Sequence, residues 1–216
     1  MKAAQLVAPR TFDMVDAPIP TLDGAGPDRV VVKTNRVCIC ASDMPHFSYD
    51  RGTYPQPTGL SAHECLGTIV ESTAEDFKAG DKVLSVPDGQ HGLAEYFVAD
   101  AVRTSHLPDG FGNEILMAQP LGTVIWACRK LPNLLGARTV VYGQGPMGML
   151  FNRLFSNMGA KTIVAVERVP ERLALATAMG ATHALHTDEE DVVARVREIN
   201  GGVMADIVVE IVGHNT

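Results

Sequence analysis

The chain has 216 residues, 46% hydrophobic and 20% charged, the balance of an ordinary globular protein of one or two domains. Its net charge of −7 argues against nucleic acid or an anionic membrane as the main partner. No apolar run reaches the ~18 residues needed to span a bilayer. The start, Met1-Lys2-Ala3-Ala4-Gln5-Leu6-Val7 before Pro9-Arg10, lacks the apolar core of a signal peptide, so a cytoplasmic location is the default. Four cysteines, Cys38, Cys40, Cys65 and Cys128, do not make a disulfide framework in a chain this size. In a reducing compartment, clustered Cys and His read as metal or catalytic candidates.

Residues 1 to about 110 are dense in Gly, Pro and short β-branched runs. Val30–Thr34, Gly67–Glu71, Lys82–Val86 and Ala94–Val98 read as strands of a compact β-rich barrel or sandwich. Asn113 to Leu131 carries a helical apolar pattern interrupted at Pro120, and Pro132 and Gly136 punctuate a boundary. The expected domains are 1–136, with the linking helix, and 137–216. From Arg138 onward strands and helices alternate. Strands are expected at 139–142, 162–167, 183–186 and 206–212, and helices at Pro146–Met158, Pro170–Met179 and Glu189–Ile199. The last strand is nearly continuous in apolar residues, as a buried parallel strand should be.

Val140-Val141-Tyr142-Gly143-Gln144-Gly145-Pro146-Met147-Gly148 reads as strand, glycine turn and helix start. Its glycines have the G-x-G-x-x-G spacing of a dinucleotide-binding fold: a tight turn, a close approach to the pyrophosphate, and close helix–strand packing. The helix N-terminus offers free N–H groups to the phosphates. Glu167 ends the next strand close to the ~20-residue distance at which an acid binds the ribose hydroxyls. A carboxylate there favours NAD over NADP, while the adjacent Arg168 can pair with a phosphate. The strand end at Ile211-Val212 closes the wall around the adenosine side. Only one half of the two-half nucleotide fold is present, so the chain is expected to be a C-terminally truncated piece without catalytic activity of its own.

In the front half, Cys40-Ala41-Ser42-Asp43 and Ala62-His63-Glu64 combine thiolate and imidazole, the preferred zinc ligands, with neighbouring carboxylates. A buried thiol and a satisfied histidine remain the alternative.

These segments carry a resemblance. Cys40-Ala41-Ser42-Asp43 is similar to C-G-[ST]-D, Ala62-His63-Glu64-Cys65-Leu66-Gly67 to G-H-E-x-x-G, Ala79-Gly80-Asp81-Lys82-Val83 to x-G-D-R-V, and Gly92-Leu93-Ala94-Glu95-Tyr96 to G-G-x-A-E-Y. With the glycine turn, in this order, the chain resembles the zinc-dependent medium-chain dehydrogenases: alcohol, sorbitol and threonine dehydrogenases. The resemblance implies an α/β fold, with a GroES-like catalytic domain followed by a partial Rossmann doubly wound parallel sheet. It implies Cys40 and His63 as zinc ligands, Glu64 as neighbour or intermittent ligand, Ser42 as proton relay and Asp43 as support for the histidine. His46 stands one residue beyond the family's distal relay histidine. Gln119 replaces the carboxylate ligand of the family's E-P-L segment. Ala62 replaces a glycine, and no four-cysteine structural lobe follows Val83, so one catalytic zinc and no structural zinc is implied. Cys38, a second thiol nearby, reads as strand packing. Thr123 matches a threonine that packs against the nicotinamide, with a helix-interior threonine as the equal alternative.

Pro146 and Met147 lie in the glycine turn, Met147 with helix packing as its simpler role. Trp126 and Tyr49 read as core or pocket lining, with core favoured. His91, His106, His183, His186 and His214 read as surface or core residues. The implied activity is NAD(H)-linked interconversion of an alcohol, secondary alcohol or polyol favoured, and a carbonyl compound. A homodimer or homotetramer is expected of the full-length protein. The alternatives are a zinc-free quinone or enoyl reductase of the same superfamily and an inactive nucleotide-binding fragment.

Overall fold

The computed structural model describes residues 1–48 and 52–213. The chain divides into two compact units, Met1–Gln119 and Pro120–Thr216. Among the described residues no helix is long and apolar enough to cross a membrane.

The first unit is antiparallel β. A hairpin, β1 (Lys2–Ala8) and β2 (Thr11–Asp16), turns at Arg10 with a φ of 61°. The sequence reading did not include it, because β2 is exposed along nearly its whole length and shows no alternation. A five-stranded sheet follows, built from β3 (Arg29–Cys38), β4 (Glu64–Ser72), β5 (Lys82–Ser85), β6 (Tyr96–Asp100) and β7 (Thr104–His106), in the order β6-β3-β4-β5-β7. Its buried side chains are Val30, Val32, Cys65, Ile69, Val83, Phe97 and Ala99. β3 and β4 each run several residues past their expected bounds, because their ladder continues to Cys38 opposite Glu64. A 3₁₀ turn (Ala41–Asp43) and the short α1 (Met44–Ser48) follow β3.

The expected helix at 113–131 is a 3₁₀ segment, Asn113–Met117, followed by α2, Ala118–Cys128. Pro120 does not interrupt α2. It sits in the first turn, where its missing N–H leaves no hydrogen bond unmade. The linking helix was assigned to the first domain, but its buried Val124 and Cys128 pack with Leu134, Val141, Phe151 and Phe155 of the second unit.

The second unit is a parallel sheet of β8 (Arg138–Tyr142), β9 (Thr162–Glu167), β10 (His183–His186) and β11 (Ile207–Glu210), in the order β10-β9-β8-β11. Its helices are α3 (Pro146–Asn157), α4 (Pro170–Ala178) and α5 (Val192–Ile199). Proline opens α3 and α4 at tolerated positions. Asp191 caps α5, its carboxylate accepting the Ala194 N–H at 3.0 Å. Alternate strand residues face opposite layers. Val141 and Ala165 pack with α2, α3 and α4, whereas Val140, Val164 and Val166 pack with α5. That two-sided burial explains the continuous apolar runs. β11 departs from its expected burial: Ile207 is covered, but Val208 is 59% exposed. β11 pairs only with β8 among the described residues, and no helix covers its second face.

Candidate active site

Two sites are built, one in each unit. In the first, Cys40 lies just past β3, and His63 and Glu64 lie where β4 begins. Their donor atoms fall within 4.8 Å of one another. Asp43 joins the two segments. It is buried, and its Oδ2 accepts the Cys40 N–H at 2.7 Å while its Oδ1 accepts the Ala62 N–H at 3.0 Å. Asp43 was expected to support the histidine, yet its closest bonds are to these two backbones, with His63 Nδ1 at 3.7 Å from Oδ1. Ala62 sits at φ 81°, a left-handed conformation that costs a side-chain-bearing residue about 1 kcal/mol or more. The exposed Ser42 places its Oγ 3.5 Å from His63 Nε2. His46 is exposed on α1, and Gln119 is half-buried on the first turn of α2.

The thiols divide by environment. Burial pushes Cys65 up to about 12, with Asp43 and Glu64 adding to the shift, so this thiol is inert at neutral pH. Burial also raises Cys128. Cys38 closes β3 directly across the ladder from Glu64, and its Sγ lies 3.9 Å from the Ile39 carbonyl oxygen. Burial raises it first, then the hydrogen bond and charge of Glu64, then the charges of Cys40 and Asp43.

These residues fit a zinc ion. A thiol, an imidazole and a carboxylate are its usual donors. His63 Nδ1 is buried without a hydrogen-bond partner. A metal on Nε2 would fix the proton on Nδ1, facing Asp43, which is how metal-bound imidazoles are normally held.

The second site is the turn after β8. Gly143 has φ 90°, and a Cβ there would stand 3.1 Å from the Ile211 backbone. A Cβ on Gly148 would collide with the Gly143 carbonyl oxygen. Gly145, at the N-cap of α3, has open space on its Cβ side. Gly143 thus serves the tight turn and Gly148 the close packing of α3 on it, while the start of α3 at Gly145 is open. Met147 is partly buried against the core formed by α2, α3 and the sheet, as is Ile211, while Pro146 is exposed at the first position of α3.

Glu167 is only 7% exposed. Its Oε2 accepts the Gln144 N–H at 2.8 Å, and its Oε1 accepts the N–H groups of Arg168 and Val169 at 2.8 and 3.2 Å. Burial pushes this carboxyl up, but the three N–H bonds and Arg172, 3.6 Å away, outweigh it and hold it below the usual range. The Arg168 side chain is exposed. Gln144 and Asn152 were not singled out from sequence. Both are fully buried, with Asn152 Nδ2 donating to Gln144 Oε1 at 2.7 Å and Gln144 Nε2 donating to the Val141 carbonyl at 2.9 Å. The signal available for Gln144 was its place between two glycines of the turn.

Thr123 is exposed on α2. Trp126 is not a core residue: it is 61% exposed, with Lys130 Nζ 3.2 Å from its ring centroid. His186 Nε2 lies 2.7 Å from the Arg168 carbonyl. Tyr49 and His214 lie outside the described residues.

Comparison with known proteins agrees with this architecture. The alcohol dehydrogenase GroES-like domain family matches residues 26–109, and the zinc-binding dehydrogenase family matches residues 146–216. The chain belongs to the zinc-type medium-chain dehydrogenases, the superfamily of alcohol, sorbitol and threonine dehydrogenases. It is 27% identical to a sorbitol dehydrogenase of Bacillus subtilis, over 99% of this chain and 69% of that protein. It is 26% identical to an L-threonine 3-dehydrogenase of Chromobacterium violaceum, over 99% and 71%. The solved structure of 2R,3R-butanediol dehydrogenase from Bacillus subtilis superposes with a TM-score of 0.81 at 26% identity, covering 98% of this chain and 70% of that one. The chain thus spans about 70% of the length of these relatives.

Proposed function

We propose that the protein interconverts an alcohol, secondary alcohol or polyol favoured, and the corresponding carbonyl compound, with one zinc and NAD(H). The observation that carries this reading is the gathering of Cys40, His63 and Glu64 within 4.8 Å in a chain that also has a complete glycine turn. The named activities of its relatives support the substrate class. When bound, zinc would act as a Lewis acid on the substrate oxygen. Cys40 and His63 would hold it, with Glu64 adjacent and Gln119 a weak neutral donor. Ser42, exposed beside His63 Nε2, would accept the hydroxyl proton and pass it toward His46 and solvent.

In the second unit, Gly143, Gly145, Pro146, Met147 and Gly148 would take the pyrophosphate at the start of α3. Glu167, which keeps acceptor capacity on Oε2, would take the ribose hydroxyls and oppose a 2′-phosphate, despite Arg168. Ile211 would close the adenosine side, and Thr123 would pack against the nicotinamide. Cytoplasmic location and homodimeric or homotetrameric assembly belong to the same reading.

The test is elemental analysis combined with alcohol oxidation assays on the purified full-length protein. About one zinc per chain is expected, with higher kcat/KM for NAD than for NADP. Active protein without zinc would assign the chain to the zinc-free quinone or enoyl reductases instead, and two zincs per chain would contradict the single-site reading.

A further inference from the structure

Cys38 ends β3, two residues before Cys40. β3 carries one extra residue, Asn35, between Thr34 and Arg36, and the pairing with β4 changes register there. Before the bulge Thr34 pairs with Gly67; after it Val37 pairs with Cys65 and Cys38 with Glu64. Without the extra residue Val37 would oppose Glu64, and Cys38 would face the other side, because a one-residue slip inverts every side chain. Directly opposed residues hold their Cβ atoms about 4.5–5.5 Å apart. That sets Cys38 and Glu64 side by side on one face of the sheet. Alternation along the backbone adds a second constraint. Ile39 is 60% exposed, while Cys38 and Cys40 on either side of it are half-buried. Cys40 is still extended, at φ −96° and ψ 156°, so Cys38 and Cys40 leave the backbone on the same side.

We propose that Cys38 is a ligand of the metal, forming with Cys40 and His63 a two-thiolate, one-imidazole shell in which Glu64 and the substrate oxygen share the fourth position. The inference rests on the zinc reading above. Two thiolates and one imidazole form a catalytic zinc shell with an open position. Cys38 supplies the anionic third ligand that Gln119, a neutral amide, cannot. In the arrangement described, Cys38 lies outside the group of atoms within 4.8 Å. A change of staggered χ1 well moves a cysteine sulfur by about 3 Å, and the proposal requires such a change at Cys38. Each thiol gives up its proton to solvent as its bond to the metal forms.

Cobalt substitution of the whole chain tests this. Wild-type protein carrying one Co²⁺ should show the near-ultraviolet thiolate-to-cobalt absorption of two sulfurs. Cys38→Ser and Cys38→Ala should each reduce it to about half, as should Cys40→Ser. Both Cys38 variants should lose metal to a chelator at least about tenfold faster than wild type. Circular dichroism checks that they fold; if neither does, the wild-type intensity, that of one sulfur or of two, decides. An absorption unchanged by both Cys38 substitutions but abolished by Cys40→Ser removes Cys38 from the shell and leaves the zinc reading standing. Failure of wild-type protein to bind cobalt overturns both.

Discussion

The nucleotide turn and the metal-donor segments are built on opposite plans. Around Glu167 each element is already bonded: three backbone N–H groups reach the carboxylate, and Gln144 and Asn152 lock the turn from beneath. Around His63 contacts are loose. Nδ1 has no partner, Ser42 stands at 3.5 Å, Asp43 at 3.7 Å, and Ala62 holds a left-handed backbone. A dinucleotide is bound largely by backbone, so its cradle can be finished in advance. A metal site keeps its donors unsatisfied until the ion arrives.

The largest expected effect breaks the finished side. Gly148→Ala drives a methyl into the Gly143 carbonyl, separating α3 from β8. A loss of about 3 kcal/mol in stability is expected, together with a fall in kcat/KM of about 100-fold from misplacement of the cofactor. A denaturant melt and steady-state kinetics measure both; near-wild-type values would show that the turn is not closed as described.

A smaller effect comes from Glu167→Gln, which keeps the shape but removes the charge on which three N–H groups converge. A loss of about 2 kcal/mol at neutral pH is expected, with the NAD-to-NADP ratio of kcat/KM falling by about tenfold or more. The sign with pH is fixed. Because Glu167 is held below its ordinary value, its contribution is present above the unfolded carboxyl pKa of about 4.3 and disappears as pH falls through the lower folded value. The wild-type and variant stability curves should therefore converge in acid; parallel curves down to pH 2 would deny the role.

The smallest effect sharpens the loose side. Ala62→Gly relieves about 1–2 kcal/mol of left-handed strain at the cost of a buried methyl worth about 0.8 kcal/mol. A net gain of about 0.2–1.2 kcal/mol is expected, read as a small rise in Tm with metal content unchanged. A fall in Tm would mean that the segment carries no such strain.

Sequence is most legible where the structure is local. The glycine turn, the acid at Glu167 and the two donor segments are short motifs whose spacing carries the physics, and strand alternation with helices predicts the doubly wound sheet. It falls short where the outcome depends on register or on layers. Cys38 faces Glu64 because of one bulged residue at Asn35, which nothing in the local pattern announces. Buried amides such as Gln144 and Asn152 look like ordinary polar residues until the turn above them is seen. β11 reads as a buried strand because its composition is that of one, whereas its burial depends on what lies beside it.

Asp43 has a further consequence. One carboxylate ties the backbone ahead of the first donor segment to the backbone ahead of the second, and neither bond involves a ligand atom. An ion held here would be a guest in a frame that stands without it, unlike the fingers of small zinc domains, which unfold when stripped. Its binding free energy would not be consumed in ordering these two segments, so a metal could be withdrawn and another introduced under native conditions with the frame intact.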